Sequence, residues 1–141
     1  MLAPSDLPIL RPMLVLAAWT LLVLALIPLA RWRAMRRHQL NWDDFRHGES
    51  PRVPPEARVP NRALMNLLEV PLLLYVTCLC IALAGQVDAW SLRLAWAYVA
   101  LRLLHSLIHL TANRVTHRFA AFGISNFVLG AMLLRLLWQL T

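Results

Sequence analysis

Four long apolar runs constrain this chain more than any other feature of its sequence. The first, residues 13–30 (MLVLAAWTLLVLALIPLA), carries no charge, and with the segment just before it can form one tilted transmembrane helix. Three more runs cover about 61–85, 90–112 and 119–140. With 60% hydrophobic residues, a chain of 141 residues is too short to bury this much apolar surface in water. We therefore expect a protein that is embedded in a lipid bilayer.

The expected fold class is all-α. Four spans of about 20 residues account for most of the chain, so we predict one transmembrane domain over residues 1–141, with spans at about 9–30, 61–85, 90–112 and 119–140. The links after the second and third spans are short, and short links place consecutive helices side by side and antiparallel. The predicted architecture is therefore an up-and-down four-helix bundle.

Every one of the 14 basic residues is an arginine, and their placement predicts the orientation. Most of them lie in or beside the loops 31–60 and 113–118, and few lie near the opposite ends of the spans. By the positive-inside rule, both loops are predicted to be cytoplasmic and both termini to lie outside, as in a multi-pass protein of the cell inner membrane. Because the arginines flank spans and do not form a continuous basic face, we do not expect nucleic acid as a partner.

The second span carries polar side chains at lipid depth, where such groups are costly and often functional. Arg62, Asn66 and Glu69 are spaced i, i+4, i+7 and so share one face of a helix along about 10 Å. Pro71 removes one backbone hydrogen bond and should bend the helix there. A bend beside a polar face favours a cavity, although a proline tolerated without any function is an equal alternative.

The third span has a comparable polar face, formed by Arg102, His105 and His109. Arg102 lies near the predicted bilayer midplane and needs a partner, and Glu69 is the only carboxylate inside a predicted span. We therefore expect these two residues to form an ion pair, within or between subunits. With Arg118 at the start of the last span, the polar groups predict a cationic pocket for a small zwitterionic ligand of net negative charge. The alternative is that they only hold the helices together.

The residues of these two faces resemble motifs of a known family. The segment 58–75 (RVPNRALMNLLEVPLLLY) resembles the second-helix signature of the MAPEG family, the membrane-associated proteins in eicosanoid and glutathione metabolism. The pattern Arg-x2-His-x3-His-x8-Arg, which begins at Arg102, is similar to the third helix and following arginine of the microsomal prostaglandin E synthase branch. The loop segment 44–48 (DFRHG) also resembles that branch. The chain thus looks like a bacterial-type member of the microsomal glutathione transferase and prostaglandin E synthase group.

The resemblance implies a homotrimer of four-helix protomers that binds glutathione between neighbouring subunits on the cytoplasmic side. The implied activity is that of a glutathione-dependent transferase or peroxidase that acts on hydrophobic small-molecule electrophiles. Arg118 would stabilise the glutathione thiolate and is the implied catalytic residue. The implied glutathione ligands are Arg62, Asn66, Glu69, Arg102, His105 and His109.

Two positions depart from the family pattern, and they leave alternatives open. His109 stands where the family has a tyrosine, and Phe119 stands where one branch has a serine. His105 and His109, at i, i+4, form half of a metal or haem site, but no other span offers a third ligand, so we expect no metal. The alternative function is a non-catalytic membrane scaffold or partner subunit, which glutathione would not stabilise. A further alternative is a small transporter. Four spans leave little room for a translocation path within one chain, so such a transporter would have to form an oligomer.

Overall fold

The computed structural model describes residues 4–46 and 50–141, and this part of the chain forms five α-helices and no strand. The helices are α1 (Leu10–His38), α2 (Pro55–Leu68), α3 (Pro71–Leu83), α4 (Ala89–Leu110) and α5 (Val115–Leu140). Short 3-10 helices, Pro4–Ile9 and Trp42–Phe45, precede and follow α1. Because α2 and α3 are two halves of one interrupted helix, the predicted all-α, four-helix architecture is confirmed.

The interruption between α2 and α3 lies where the sequence predicts a bend. Pro71 is the first residue of α3 and has no N–H to donate back into α2. The residue that ends α2, Glu69, leaves helical geometry with φ −80° and ψ −96°, while its N–H still donates to the Met65 carbonyl at 3.1 Å. The proline therefore breaks the helix in two instead of only bending it.

The predicted loops are longer than those that the structure shows. The loop predicted over 31–60 is shortened at both ends, because α1 continues to His38 and α2 already begins at Pro55. The loop predicted over 113–118 likewise ends early, at the start of α5. The prediction placed helix ends where the apolar runs end, but arginine is a good helix former and extends a helix beyond its apolar part. Gln39, with a left-handed φ of 51°, ends α1.

Three stretches of the described chain are long and apolar enough to cross a membrane: Pro4–His38, Pro55–Leu83 and Val115–Leu140. Their large apolar side chains point outward, as shown by the exposure of Phe127 (82%) and Leu134 (70%), which suits a lipid environment and not water. The fourth long helix, α4, is not among these stretches, because its apolar sequence is interrupted by Arg93, Arg102, His105 and His109. The span predicted at about 90–112 coincides with α4 and stays a prediction.

The core lies where α1 packs against α2 and α4, and α4 packs against α5. Two polar contacts supplement this apolar packing. The Trp19 indole N–H donates to the Ser106 hydroxyl at 3.0 Å and joins α1 to α4. Asp88 caps α4 by accepting from the Ser91 N–H at 2.7 Å, and it also accepts from Arg135 of α5. Together these contacts fix α4 between its neighbours, and α4 carries much of the candidate site.

The ion pair between Asp88 and Arg135 lies at the end of the bundle, before the first turn of α4. Burial alone would raise the pKa of the Asp88 carboxyl. The hydrogen bonds from Ser91 and Arg135, with the nearby guanidinium charge, outweigh burial and lower that pKa below its usual 3.8. The carboxylate is therefore favoured in its charged form, as a helix N-cap requires.

Candidate functional site

A polar cleft of about 260 Å³ opens between α2, the end of α4 and the start of α5. Arg62 and Asn66 enter it from successive turns of α2, and the Asn66 side chain donates to the Arg62 carbonyl at 2.8 Å. His109 enters it from the last turn of α4, and Arg118 from the first turns of α5. The polar cleft is lined by Val59, Arg62, Met65, Asn66, His109, Asn113 and Arg118.

An adjoining cleft of about 210 Å³, here called the aromatic cleft, shares two of these residues. Its lining consists of Asn66, His105, Val115, Arg118, Phe119 and Phe122. Since Asn66 and Arg118 line both clefts, the two openings are parts of one polar region. The structure thereby brings together five of the residues singled out in the sequence: Arg62, Asn66, His105, His109 and Arg118.

Arg118 is held in the polar cleft by a residue that sequence reasoning missed. Its Nη1 atom donates to the side-chain oxygen of Asn113 at 2.7 Å. Asn113 has a left-handed φ of 49°, a conformation that asparagine tolerates better than most residues. The only feature of the sequence that could have indicated this contact was the position of Asn113 directly after a predicted span. The contact fixes one side of the half-buried guanidinium and leaves its other terminal nitrogen for a ligand.

The two histidines of α4 lie against each other, His109 in the wall of the polar cleft and His105 in the wall of the aromatic cleft. Their ring centroids are 6.0 Å apart in an edge-on arrangement, and both side chains are buried. The His105 ring also lies 6.0 Å from the Phe122 ring. Within the described residues, His109 Nδ1 is buried and has no hydrogen-bond partner. No cluster of three or more potential metal ligands occurs in the described part of the chain.

Arg102 lies behind the wall of the polar region and is completely buried, at 0% exposure. Its Nη2 atom donates to the main-chain carbonyl of Asn66, and its guanidinium carbon lies 5.4 Å from the Phe122 ring centroid. Its Nε and Nη1 atoms have no hydrogen-bond partner among the described residues. Arg102 thus supports the residue that lines both clefts but does not line either cleft itself.

Glu69 does not join this group inside one chain. It is exposed at the break between α2 and α3, and it lines neither of the two clefts. Within the described residues, the expected ion pair between Glu69 and Arg102 is not formed in one protomer, because Arg102 bonds to a main-chain carbonyl instead. A pair between subunits, and the glutathione-binding role of Glu69, stay predictions.

A wide apolar groove of about 610 Å³ runs along α5 from the aromatic cleft. Phe119 and Phe122 line both openings, so the groove and the cleft are continuous. A side chain added at Gly123 or Gly130 would meet no atom within 4 Å, which shows that the groove is open there. The groove is lined by Phe119, Phe122, Gly123, Asn126, Phe127, Gly130, Ala131 and Leu134. Sequence reasoning missed it, although two glycines seven residues apart were a signal.

The loop segment that resembles one family branch is a structured turn in its described part. The Asp44 carboxylate accepts from the Asn41 N–H and from the Ser50 hydroxyl, each at 3.0 Å. The main-chain hydrogen bond from Asn41, with help from Ser50 and Arg52, outweighs burial and lowers the pKa of Asp44 below 3.8. His47 and Gly48, which complete the segment, lie outside the described residues.

The sequence model of the MAPEG family matches residues 9–138 of this chain. The chain belongs to the MAPEG family. The match covers nearly the whole chain and confirms the predicted family, whereas the resemblance to one branch of the family stays a prediction. With its apolar helices, this MAPEG protein is a membrane protein. No curated protein and no solved structure matches the chain.

Proposed function

We propose that this MAPEG protein binds glutathione in the polar cleft and acts as a glutathione-dependent transferase or peroxidase on hydrophobic electrophiles. The observation that carries the proposal is the convergence of Arg62, Asn66, His109 and Arg118 on one cleft. All four belong to the two motifs that resemble the family, and among them His109 takes the place of the family's tyrosine.

The charges of the polar cleft suit glutathione. The tripeptide carries two carboxylates and one amine, so it is a zwitterion with net negative charge. Two guanidinium groups, from Arg62 and Arg118, line the polar cleft, and no carboxylate of the described chain does. Charge-assisted bonds from arginine to carboxylate are short, often bidentate, and about twice as strong as neutral hydrogen bonds. Asn66 adds an amide, and Glu69 is proposed as the partner of the ligand's amine.

Arg118 is proposed as the residue that activates the thiol. A free thiol titrates near pH 8.5, and a fixed guanidinium at contact distance lowers this by about 1–3 units. Its hydrogen bond with Asn113 holds the guanidinium in one orientation, which is what a fixed charge requires. In the transferase reaction, the thiolate sulfur forms a bond to an electrophilic carbon and the leaving group departs with its electron pair.

In the peroxidase reaction, the thiolate attacks the terminal oxygen of a hydroperoxide and the O–O bond breaks. The products are a glutathione sulfenic acid and the lipid alkoxide, which takes a proton from water to become the alcohol. A second glutathione converts the sulfenic acid to the disulfide and water. A neutral ring N–H of His109 is the proposed donor to the sulfur in place of the family's tyrosine hydroxyl. Because His109 Nδ1 has no hydrogen-bond partner among the described residues, no contact fixes which ring nitrogen carries the proton.

The apolar groove supports a hydrophobic second substrate. It is continuous with the aromatic cleft through Phe119 and Phe122, so a lipid-soluble electrophile has a route from the bilayer to the sulfur. The side chain of Phe119 is 75% exposed at this junction and extends the apolar surface where one family branch has serine. We further propose a homotrimer in the cell inner membrane, with the clefts on the cytoplasmic side and both termini outside.

Glutathione titration of the detergent-purified protein tests the proposal. A ligand that binds only the folded state stabilises it, by about 2.7 kcal/mol at one hundred times its dissociation constant. We expect glutathione to raise the thermal unfolding midpoint in a saturable way, whereas cysteine, a thiol without the tripeptide backbone, should not. Thiol consumption with a hydrophobic aryl halide or a lipid hydroperoxide then measures turnover. No stabilisation up to millimolar glutathione would refute binding and favour the membrane scaffold.

A further inference from the structure

A third polar opening, here called the arginine cleft, lies between the end of α1 and the start of α2. Its volume is about 200 Å³, and it shares no residue with the polar cleft or the aromatic cleft. The arginine cleft is lined by Ala30, Arg33, Ala34, Arg37, His38, Pro54, Glu56 and Ala57. The proposed function does not use any of these residues.

Two arginines on one face of α1 give the arginine cleft its charge. Arg33 and Arg37 are four residues apart, so their side chains leave the helix on the same side, about 6 Å apart along its axis. Both are exposed, and neither makes a hydrogen bond, ion pair or ring contact with the described residues. Other arginines of this segment do have such contacts: Arg36 lies 4.5 Å from the Trp32 ring centroid, and Arg31 lies 5.2 Å from a phenylalanine ring.

The arginine cleft lies at the depth of lipid headgroups. The uncharged run of α1 ends at Ala30, and Arg33 and Arg37 follow about 5 and 10 Å further along the helix axis. The headgroup layer extends about 5–8 Å beyond the hydrocarbon on each side of a bilayer, so Arg33 lies within this layer and Arg37 lies just outside it, where its long side chain can reach back. Trp32, exposed at this same level, is of the residue type that prefers the interface.

The balance of charge in the arginine cleft favours an anion. Among the described residues, Glu56 is the only carboxylate in its lining, and it already has a partner in His38, whose Nε2 lies 3.9 Å from it. Pro54 is the N-cap residue of α2 and Ala57 lies in its first turn, where the positive end of the helix dipole adds to the field. Planar guanidinium groups bind phosphate oxygens in a bidentate manner.

We propose that the arginine cleft binds the phosphate group of a phospholipid headgroup through Arg33 and Arg37. Free phosphate offers the same oxygen chemistry, but the depth of the cleft, beside the end of an apolar helix, favours a lipid as the source. The alanines of this face leave space for the phosphate between the two helices. A bound headgroup would hold the end of α1 and the start of α2 in one arrangement.

Native mass spectrometry of the delipidated full-length protein tests this proposal, with phosphatidylglycerol as the probe. Diacylglycerol with the same acyl chains is the control ligand, because it lacks the phosphate, and it should bind poorly. The double variant Arg33→Gln/Arg37→Gln should bind phosphatidylglycerol about 30-fold more weakly, about fivefold for each guanidinium. The matched variant Arg36→Gln/Arg46→Gln loses the same charge outside the cleft and should keep wild-type affinity.

If both double variants bound phosphatidylglycerol equally weakly, the proposed site would be wrong, because the effect would then be a general attraction between arginines and an anionic lipid. Equal binding of diacylglycerol would overturn the role of the phosphate. Inorganic phosphate in lipid-free detergent forms a third arm. If it stabilised the wild type but not Arg33→Gln/Arg37→Gln, the ligand would be soluble phosphate and the lipid assignment would be wrong. Circular dichroism checks that both variants keep their helices, as substitution of exposed side chains predicts.

Discussion

Replacing Arg118 with glutamine should raise the pH at which bound glutathione ionises. The guanidinium is half-buried, and Nη1 is already occupied by Asn113 at 2.7 Å, so Nη2 is the nitrogen available to the sulfur. Arg118→Gln removes this charge but keeps a polar side chain of similar shape near Asn113. The variant therefore isolates the electrostatic contribution to the thiolate.

The expected size of the effect follows from Coulomb attraction at contact distance. A shift of about two units, the middle of the usual range for one fixed arginine, moves the thiol pKa from near 8.5 to about 6.5. At pH 7 the thiolate fraction then rises from about 3% to about three quarters, a free-energy difference of about 2.7 kcal/mol. Arg118→Gln should reverse most of this shift and lower turnover by about 25-fold at pH 7.

Ultraviolet difference spectroscopy measures the thiolate directly, as absorbance near about 240 nm in a pH titration at saturating glutathione. Arg114→Gln is the matched control, because Arg114 is an exposed neighbour that lines neither cleft and should leave the midpoint pH unchanged. An unchanged midpoint in Arg118→Gln, with glutathione still bound, would refute the role of Arg118. An equal shift in Arg114→Gln would show that the effect is one of net charge only.

Two further predictions separate ligand binding from scaffold stability. Arg62→Gln should weaken glutathione binding by about 10- to 100-fold, because one hydrogen bond to a charged group is lost, and it should leave the midpoint pH of the thiolate unchanged. Calorimetric titration measures the affinity. An unchanged affinity would show that Arg62 does not bind glutathione. The pKa of Asp88 is lowered in the folded protein, so its ion pair with Arg135 stabilises the fold fully above about pH 4, the ordinary pKa of an unfolded carboxyl. This stabilisation is lost as the pH falls through the lower pKa of the folded state. Asp88→Asn keeps the helix cap but loses the charge, so at neutral pH it should cost about 1 kcal/mol or less for this partly exposed pair. Its thermal stability should depend less on acid than that of the wild type, and an identical acid profile would contradict the assignment.

The fold was largely predictable because its main signals are local. Length and absence of charge define the apolar part of a helix such as α1. Pro71 marks the break between α2 and α3, whereas Pro28 and Pro60 lie inside continuous helices. The ends of α1 and α2 were not predictable from the same signals. The end of an apolar run predicts the edge of the hydrocarbon layer and not the end of the helix. The helix α1 continues through the arginines to His38, and the left-handed conformation of Gln39 ends it.

The candidate site was predictable in part, because helical spacing shows which residues share a face. It placed Arg62 and Asn66 together on α2, and the structure adds the residues of α4 and α5 that face them. It could not show that Asn113 would hold Arg118, since that contact depends on the left-handed backbone of a short connection. Helical spacing alone also did not predict the apolar groove, whose lining lies entirely on the exposed face of α5.

The position of Arg102 shows how a main-chain group can replace an expected side-chain partner. A search for opposite charge selects Glu69, the only carboxylate in a predicted span, and overlooks carbonyl oxygens. The break before Pro71 ends α2 at Leu68, and the last turn of any helix leaves carbonyls without helical partners at the negative end of its dipole. Arg102 donates to one of these, the carbonyl of Asn66. The break in the second span therefore places a free carbonyl beside the buried arginine, and this contact links Arg102 to the residue shared by both clefts.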